Sequence, residues 1–205
     1  MGHLKADSRQ KFTASLKTSL ARMPEAADAI LETYGFNSPA LATAAEDDEA
    51  AFKNYLHFVN DVGYYAATVS FARGWPESKL LTFAFNEPNP WPGLFTGEAT
   101  HVLDVVFLFQ NYNDKLSPAQ KKAAEGFGLD FARFISGQQP WPAYSKAQRN
   151  AKVFGPSVEG SEAVTRIIGD NEAEESGRRT KILGIGQDIG FDALSAAIVR
   201  FQIGL

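Results

Sequence analysis

One apolar run constrains this chain more than any other segment. Lys79-Leu80-Leu81-Thr82-Phe83-Ala84-Phe85, bounded by Pro76-Glu77-Ser78 and Asn86-Glu87-Pro88, reads as a strand, whereas most of the remaining sequence reads as helix. Its continuous hydrophobicity predicts burial on both faces, as in a covered parallel sheet. A buried strand needs neighbours, and the only other short strand signal is Lys152-Val153-Phe154. The expected class is therefore α/β: mostly helical, with one or two core strands.

Helical spacing accounts for the rest. Phe12, Leu16, Leu20 and Met23 recur along one stretch, and Pro24, which cannot continue that turn, suits the first turn of a second helix stopped by Gly35. After a small, polar connection from Asn37 to Ala45, Glu46-Asp47-Asp48-Glu49 places carboxylates at the next helix start. Phe52, Tyr55, Phe58, Val59 and Val62 form one apolar side, and Tyr64 to Phe71 predicts a nearly buried continuation. Ser117 and Gln120 spell a capping box around Pro118, opening a helix whose core face is Ala123, Phe127, Phe131 and Phe134 and whose stop is Gly137. A polar loop from Gly155 to Glu162 and a terminal helix bearing Phe191, Leu194, Ile198 and Phe201 complete the chain.

Composition excludes several classes of function. With 44% hydrophobic residues, 21% charged residues and a net charge of −4 spread along 205 residues, the chain reads as an ordinary soluble protein. It carries no basic face for nucleic acid, and the short run Arg178-Arg179-Thr180-Lys181 reads as a solvated face. Absence of cysteine rules out disulfides and thiolate chemistry and leans towards an intracellular compartment. The polar start Met1 to Phe12 is no signal peptide, Ala6 stands where a myristoylation signal needs Ser or Thr, and no apolar run reaches membrane-spanning length. No phosphate cradle or clustered metal ligands occur, so neither cofactor nor metal is expected. Gly184-Ile185-Gly186-Gln187-Asp188-Ile189-Gly190 spells a dinucleotide fingerprint, but without a preceding strand it predicts a turn between helices.

Three histidines limit the choice of general base. His3 lies at the terminus, and His57 sits within an apolar helical face. His101 follows a strand and an irregular Gly-containing loop and precedes Val105-Val106-Phe107-Leu108-Phe109, a position that suits either packing or catalysis.

The run Trp91-Pro92-Gly93-Leu94-Phe95-Thr96-Gly97-Glu98-Ala99-Thr100-His101-Val102-Leu103-Asp104-Val105-Val106-Phe107-Leu108-Phe109 resembles the histidine-bearing segment of the carboxylesterase/cholinesterase family, type-B carboxylesterases of the α/β-hydrolase fold. There a Gly-containing loop after a strand presents His, an acid follows three positions on, here Asp104, and aromatics such as Phe107 come next. Asn111-Tyr112, Phe131-Ala132-Arg133-Phe134 and Trp141-Pro142-Ala143-Tyr144 continue the likeness. The family places its catalytic acid five positions after a Gly, which matches Gly2 to Asp7, with Asp for the usual Glu and Ser8 for Gly. An N-cap role is the alternative for Asp7.

The resemblance implies the C-terminal portion of an α/β-hydrolase: one partial domain over residues 1–205, family-like to residue 150, with a C-terminal extension over 151–205 ending in helices. Its activity would be hydrolysis of a small-molecule carboxylic ester, with His101 as general base and Asp7 as orienting acid. The nucleophile elbow G-x-S-x-G does not occur; the nearest string, Gly155-Pro156-Ser157-Val158-Glu159-Gly160, lacks the second Gly and follows the histidine. The chain alone is therefore expected to be inactive. Two other readings remain: a non-catalytic assembly module that associates through exposed apolar surface, and a truncated gene product of an active esterase. No nucleic-acid or membrane partner is expected.

Overall fold

The computed structural model describes residues 2–76, 80–145, 147–158, 160, 165–169 and 177–204, with side chains from residue 4 onward. The helices are α1 (Gly2–Lys5), α2 (Ser8–Ser19), α3 (Pro24–Thr33), α4 (Ala44–Asn60), α5 (Ala66–Gly74), α6 (Leu103–Phe109), α7 (Pro118–Ile135), α8 (Arg178–Ile189) and α9 (Phe191–Ile203). The strands are β1 (Phe83–Phe85), β2 (Ala151–Phe154) and β3 (Thr165–Ile168). A π-helical turn, Asp61–Tyr65, joins α4 to α5, and a 3-10 turn, Asn113–Lys115, precedes α7. The chain divides into two compact units, residues 1–71 with 174–205, and residues 72–173.

The first unit is helical. Thr43 accepts the Glu46 N–H while the Glu46 carboxylate accepts the Thr43 N–H, a reciprocal cap that starts α4. Phe12 of α2 is the hub of the core, with ring centroids 4.7 Å from Phe36, 5.2 Å from Phe58, 5.3 Å from Tyr55 and 5.9 Å from Phe201. Each of these large buried side chains contributes roughly 1.5–3 kcal/mol. Arg9 staples three segments: it grips the Asp47 carboxylate at 2.7 and 2.8 Å and donates to the Phe36 and Ser38 carbonyls at 2.6 and 3.2 Å. Gly186 is required by close packing, since a Cβ there would meet the Phe191 ring at 2.4 Å.

The second unit packs helices on a three-stranded mixed sheet of order β1-β2-β3. β1 pairs parallel with β2, with Ala84 opposite Val153, and β2 pairs antiparallel with β3. Because α6 and α7 lie between β1 and β2 in the chain, the parallel pair closes a βαβ unit. Leu103, Phe107, Ala123, Ala124, Phe127, Trp141 and Phe154 fill the space between sheet and helices. Trp141 Nε1 donates to the Thr82 carbonyl at 3.0 Å, and Lys152 bonds Asp130 beneath the rings of Trp141 and Phe154. Ser117 and Gln120 form the reciprocal cap that opens α7, and Gly137, with φ +77°, follows its end.

Several expectations are corrected. A third strand, Thr165–Ile168, is present, so the sheet exceeds the one or two strands read from the sequence. β1 is shorter than the apolar run and is not buried on both faces: Phe83 is 37% exposed, because among the described residues β1 pairs only with β2 and forms an edge; Lys79 lies outside the described residues. Tyr64 and Phe71 are exposed at 59% and 57%, since the π-helical turn inserts an extra residue and rotates the following face outward. Gly184 and Gly186 lie inside α8, and the chain breaks direction only at Gly190. Phe134 of α7 is exposed rather than core.

Candidate functional site

In the second unit, the segment leaving the carboxyl end of β1 runs irregularly from Asn86 to Thr100 and delivers His101 to an exposed turn before α6. The segment is knitted internally. Asn89 donates its N–H to the Glu98 carbonyl at 3.0 Å and accepts the Gly97 N–H at 2.9 Å, and Thr96 Oγ1 donates to the Trp91 and Gly93 carbonyls at 2.8 Å. Gln120 of α7 anchors it through the Pro88 carbonyl at 2.8 Å, and Trp91 meets Tyr112 edge-on at 6.0 Å. The imidazole therefore sits on a turn held by a braced loop.

Directly after His101, Val102 adopts φ +69°, a left-handed conformation that costs a β-branched residue about 1–2 kcal/mol. Its side chain is 47% exposed, so side-chain packing offsets little of that cost. Such local strain concentrates at sites where geometry matters more than stability. Leu103, one residue on, is buried and fixes the start of α6, and Asp104 lies in its first turn, where a carboxylate suits the helix dipole.

Asp7 belongs to the first unit, His101 to the second. Asp7 occupies the residue before α2 with φ 57°, and its side chain makes no capping hydrogen bond; its carboxylate instead stands 3.8 Å from Lys11 Nζ and is 68% exposed. The N–H of Ser8 donates to Asp48 Oδ1 at 3.3 Å, so a carboxylate from α4, rather than Asp7 in its alternative role as a cap, meets the start of α2. His57, on the last turn of α4, is partly buried, as its apolar surroundings predicted.

Among the described residues two carboxylates are wholly buried, and neither is a candidate from the sequence. Asp61, wholly buried in the π-helical turn, accepts hydrogen bonds from Tyr34 Oη at 3.0 Å, Arg178 Nε at 2.6 Å and Arg179 Nε at 3.2 Å. Arg178 also lies over the Tyr34 ring at 5.6 Å and Arg179 over the Tyr65 ring at 5.1 Å. The arginine run read as a solvated face thus neutralises a buried acid. Burial first, then the Asp61 charge and the bond donated to it, pushes the Tyr34 hydroxyl well above the ordinary tyrosine range.

Glu87, also wholly buried, bonds Ser157, the serine of the Gly155–Gly160 string. That serine follows a strand without a helix behind it among the described residues and is engaged by a carboxylate rather than a histidine, so it has no elbow geometry. Burial raises the Glu87 carboxyl above the usual carboxylate range, against the lowering effect of the Ser157 bonds. An acid inside an apolar region, as Asp61 is, was the one sequence signal available for these residues.

Among the described residues, no group of three or more His, Asp or Glu could hold a metal ion, and no single helix is long and apolar enough to cross a membrane. Comparison with known protein families, curated proteins and solved structures returned no match.

Proposed function

We propose that this chain is the histidine-bearing, C-terminal part of a carboxylic-ester hydrolase of the type-B carboxylesterase kind, on the α/β-hydrolase fold. The observation that supports it best is the position of His101 on the segment issuing from the carboxyl end of β1 within a parallel βαβ unit, since ligands of open parallel sheets gather at the carboxyl ends of strands. His101 would take the proton of a serine hydroxyl as it attacks the ester carbonyl and return it to the leaving alcohol. The serine must come from a G-x-S-x-G elbow, which these 205 residues do not contain, and the oxyanion donors from backbone N–H groups of the N-terminal half.

Hydrolysis of a short-chain aryl ester tests the reading in two steps. The 205-residue chain should give no turnover above background, and neither should its His101→Ala variant. Preceded in frame by a nucleophile-bearing N-terminal half, the chain should turn over ester with a loss of about 10⁶-fold on His101→Ala. Turnover indifferent to His101 sinks the proposal.

A second reading, a non-catalytic assembly module, is favoured by one feature. Val105 and Phe109 lie four residues apart on α6 and, with Val102 and Tyr112 on the chain at its two ends, are 41–66% exposed, apolar surface suited to association. Concentration-dependent self-association abolished by Phe109→Ser would support it.

A further inference from the structure

The segments that leave the carboxyl ends of β1 and β2 are joined by a polar pair that the ester-hydrolase reading does not use. Glu87, two residues beyond β1, is completely buried. Ser157, three residues beyond β2, donates its hydroxyl to Glu87 Oε1 at 2.6 Å and its N–H to Oε2 at 3.2 Å, so one residue holds both oxygens of the acid. Gly155 closes the same site: at φ +83°, a Cβ there would stand 2.6 Å from Oε1 and 2.9 Å from the Glu87 nitrogen. The Asn86 N–H donates to the Phe154 carbonyl at 2.7 Å immediately alongside.

The cations described in the surrounding elements are committed elsewhere. Arg166 of β3 donates to the Gly155 carbonyl at 3.0 Å, and Lys152 of β2 bonds Asp130 of α7. Gln120 of α7, which anchors Pro88, is neutral; Glu159, two residues after Ser157, lies outside the described residues. Asn86 to Pro90 and Gly155 to Val158 contribute no other ionisable side chain, and His101 is the next titratable group but one along the segment from Glu87, after Glu98. Among the described residues, a carboxylate held there by a serine is therefore a charge without a countercharge, a state that burial penalises.

We propose that Glu87 and Ser157 form a proton-controlled latch: with the carboxyl protonated, the segments after β1 and β2 are locked together, and ionisation favours their release. Protonation leaves the pair intact, because Oε1 can remain the carbonyl oxygen that accepts the Ser157 hydroxyl, and it removes the cost of a buried charge, which outweighs the opposing effect of the Ser157 bonds. In the opened state the carboxyl meets water and regains an ordinary acidity. Opening is then coupled to loss of a proton, and the equilibrium for opening rises about tenfold per pH unit from the ordinary glutamate value up to the raised value of the latched state. Release would loosen the braced loop that carries His101, so the latch sets a pH window for order at that end of the sheet.

Two measurements on the full chain test this. Carbon-detected NMR titration should show the Glu87 carboxyl, assigned by its disappearance in Glu87→Gln, ionising at higher pH than free glutamate, and higher still in Ser157→Ala, which removes a bond that favours the charged form. Hydrogen exchange at the Ser157 amide should accelerate about a hundredfold per pH unit within that window, tenfold from base catalysis and tenfold from opening, whereas Glu87→Gln should show only the tenfold intrinsic rise. An ordinary Glu87 midpoint, or the same exchange profile with and without the acid, overturns the latch. Should Glu87→Gln fail to fold, the titration of Ser157→Ala against wild type decides alone: an unmoved or lowered midpoint overturns it.

Discussion

Among the described residues two carboxylates are completely buried, one in each compact unit, and they are provided for in opposite ways. Asp61 is surrounded by two guanidinium groups and a phenol; Glu87 has one serine. In the first arrangement two guanidinium groups converge on one acid and depend on it as their partner. The second makes a charge costly, so Glu87 contributes most when it carries none. Burial alone therefore says little about whether an acid is a structural ion or a titratable group; the donor set decides.

The largest expected effect lies at Asp61. Asp61→Asn keeps the shape but leaves Arg178 and Arg179 without their countercharge, which should cost about 3–5 kcal/mol, towards the lower end because both arginines are about a quarter exposed and can regain some water. At neutral pH, Glu87→Gln should cost almost nothing or stabilise. All three tryptophans, Trp75, Trp91 and Trp141, fall in the second unit, so urea denaturation followed by far-ultraviolet circular dichroism and by tryptophan fluorescence reads the two variants separately. Equal losses at the two acids would break the contrast.

Next in size is Gly155→Ala. A methyl group at that position presses on Glu87 Oε1 and on backbone, and alanine must hold a left-handed conformation, so about 2–4 kcal/mol should be lost, seen as an earlier fluorescence transition. A cost near zero would mean that Glu87 has room to move and is less confined than Asp61.

How much of this could be read in advance depends on distance along the chain. Capping residues were legible, because Ser117 and Gln120 bond each other and Pro24 acts on its own turn; so was β2, a short apolar run. β3 was not, since Thr165-Arg166-Ile167-Ile168 is four residues long with two of them exposed, and β2, its partner, is what makes it a strand. Burial was misjudged after Asp61 because a π-helical turn shifts the face without leaving a hydrophobic signature. At the candidate site, His101 stood out as the histidine after a strand and loop. The partners of Glu87 and Asp61 lie 70 and 117 residues away, and no local pattern connects a serine in a polar loop, or an arginine pair, with an acid so distant.

The smallest effect separates the two regions by pH rather than by size. Tyr34 donates to Asp61 from a buried position, and its hydroxyl is held neutral well past the pH at which a free tyrosine ionises. Tyr34→Phe removes one hydrogen bond to a charged group, about 1.5–2 kcal/mol at neutral pH. The sign then changes with alkalinity: above pH ~10 the unfolded tyrosine gives up its proton while the folded one keeps it, so wild type loses about 1.4 kcal/mol per pH unit that the variant does not. The two proteins should therefore draw level a little more than one unit above pH ~10, whereas the Glu87 contribution weakens from the ordinary glutamate value upward. Stability curves for wild type and Tyr34→Phe that stay parallel through alkaline pH would show that the hydroxyl ionises freely in the fold, and that the Asp61 cluster is wetter than its hydrogen bonds imply.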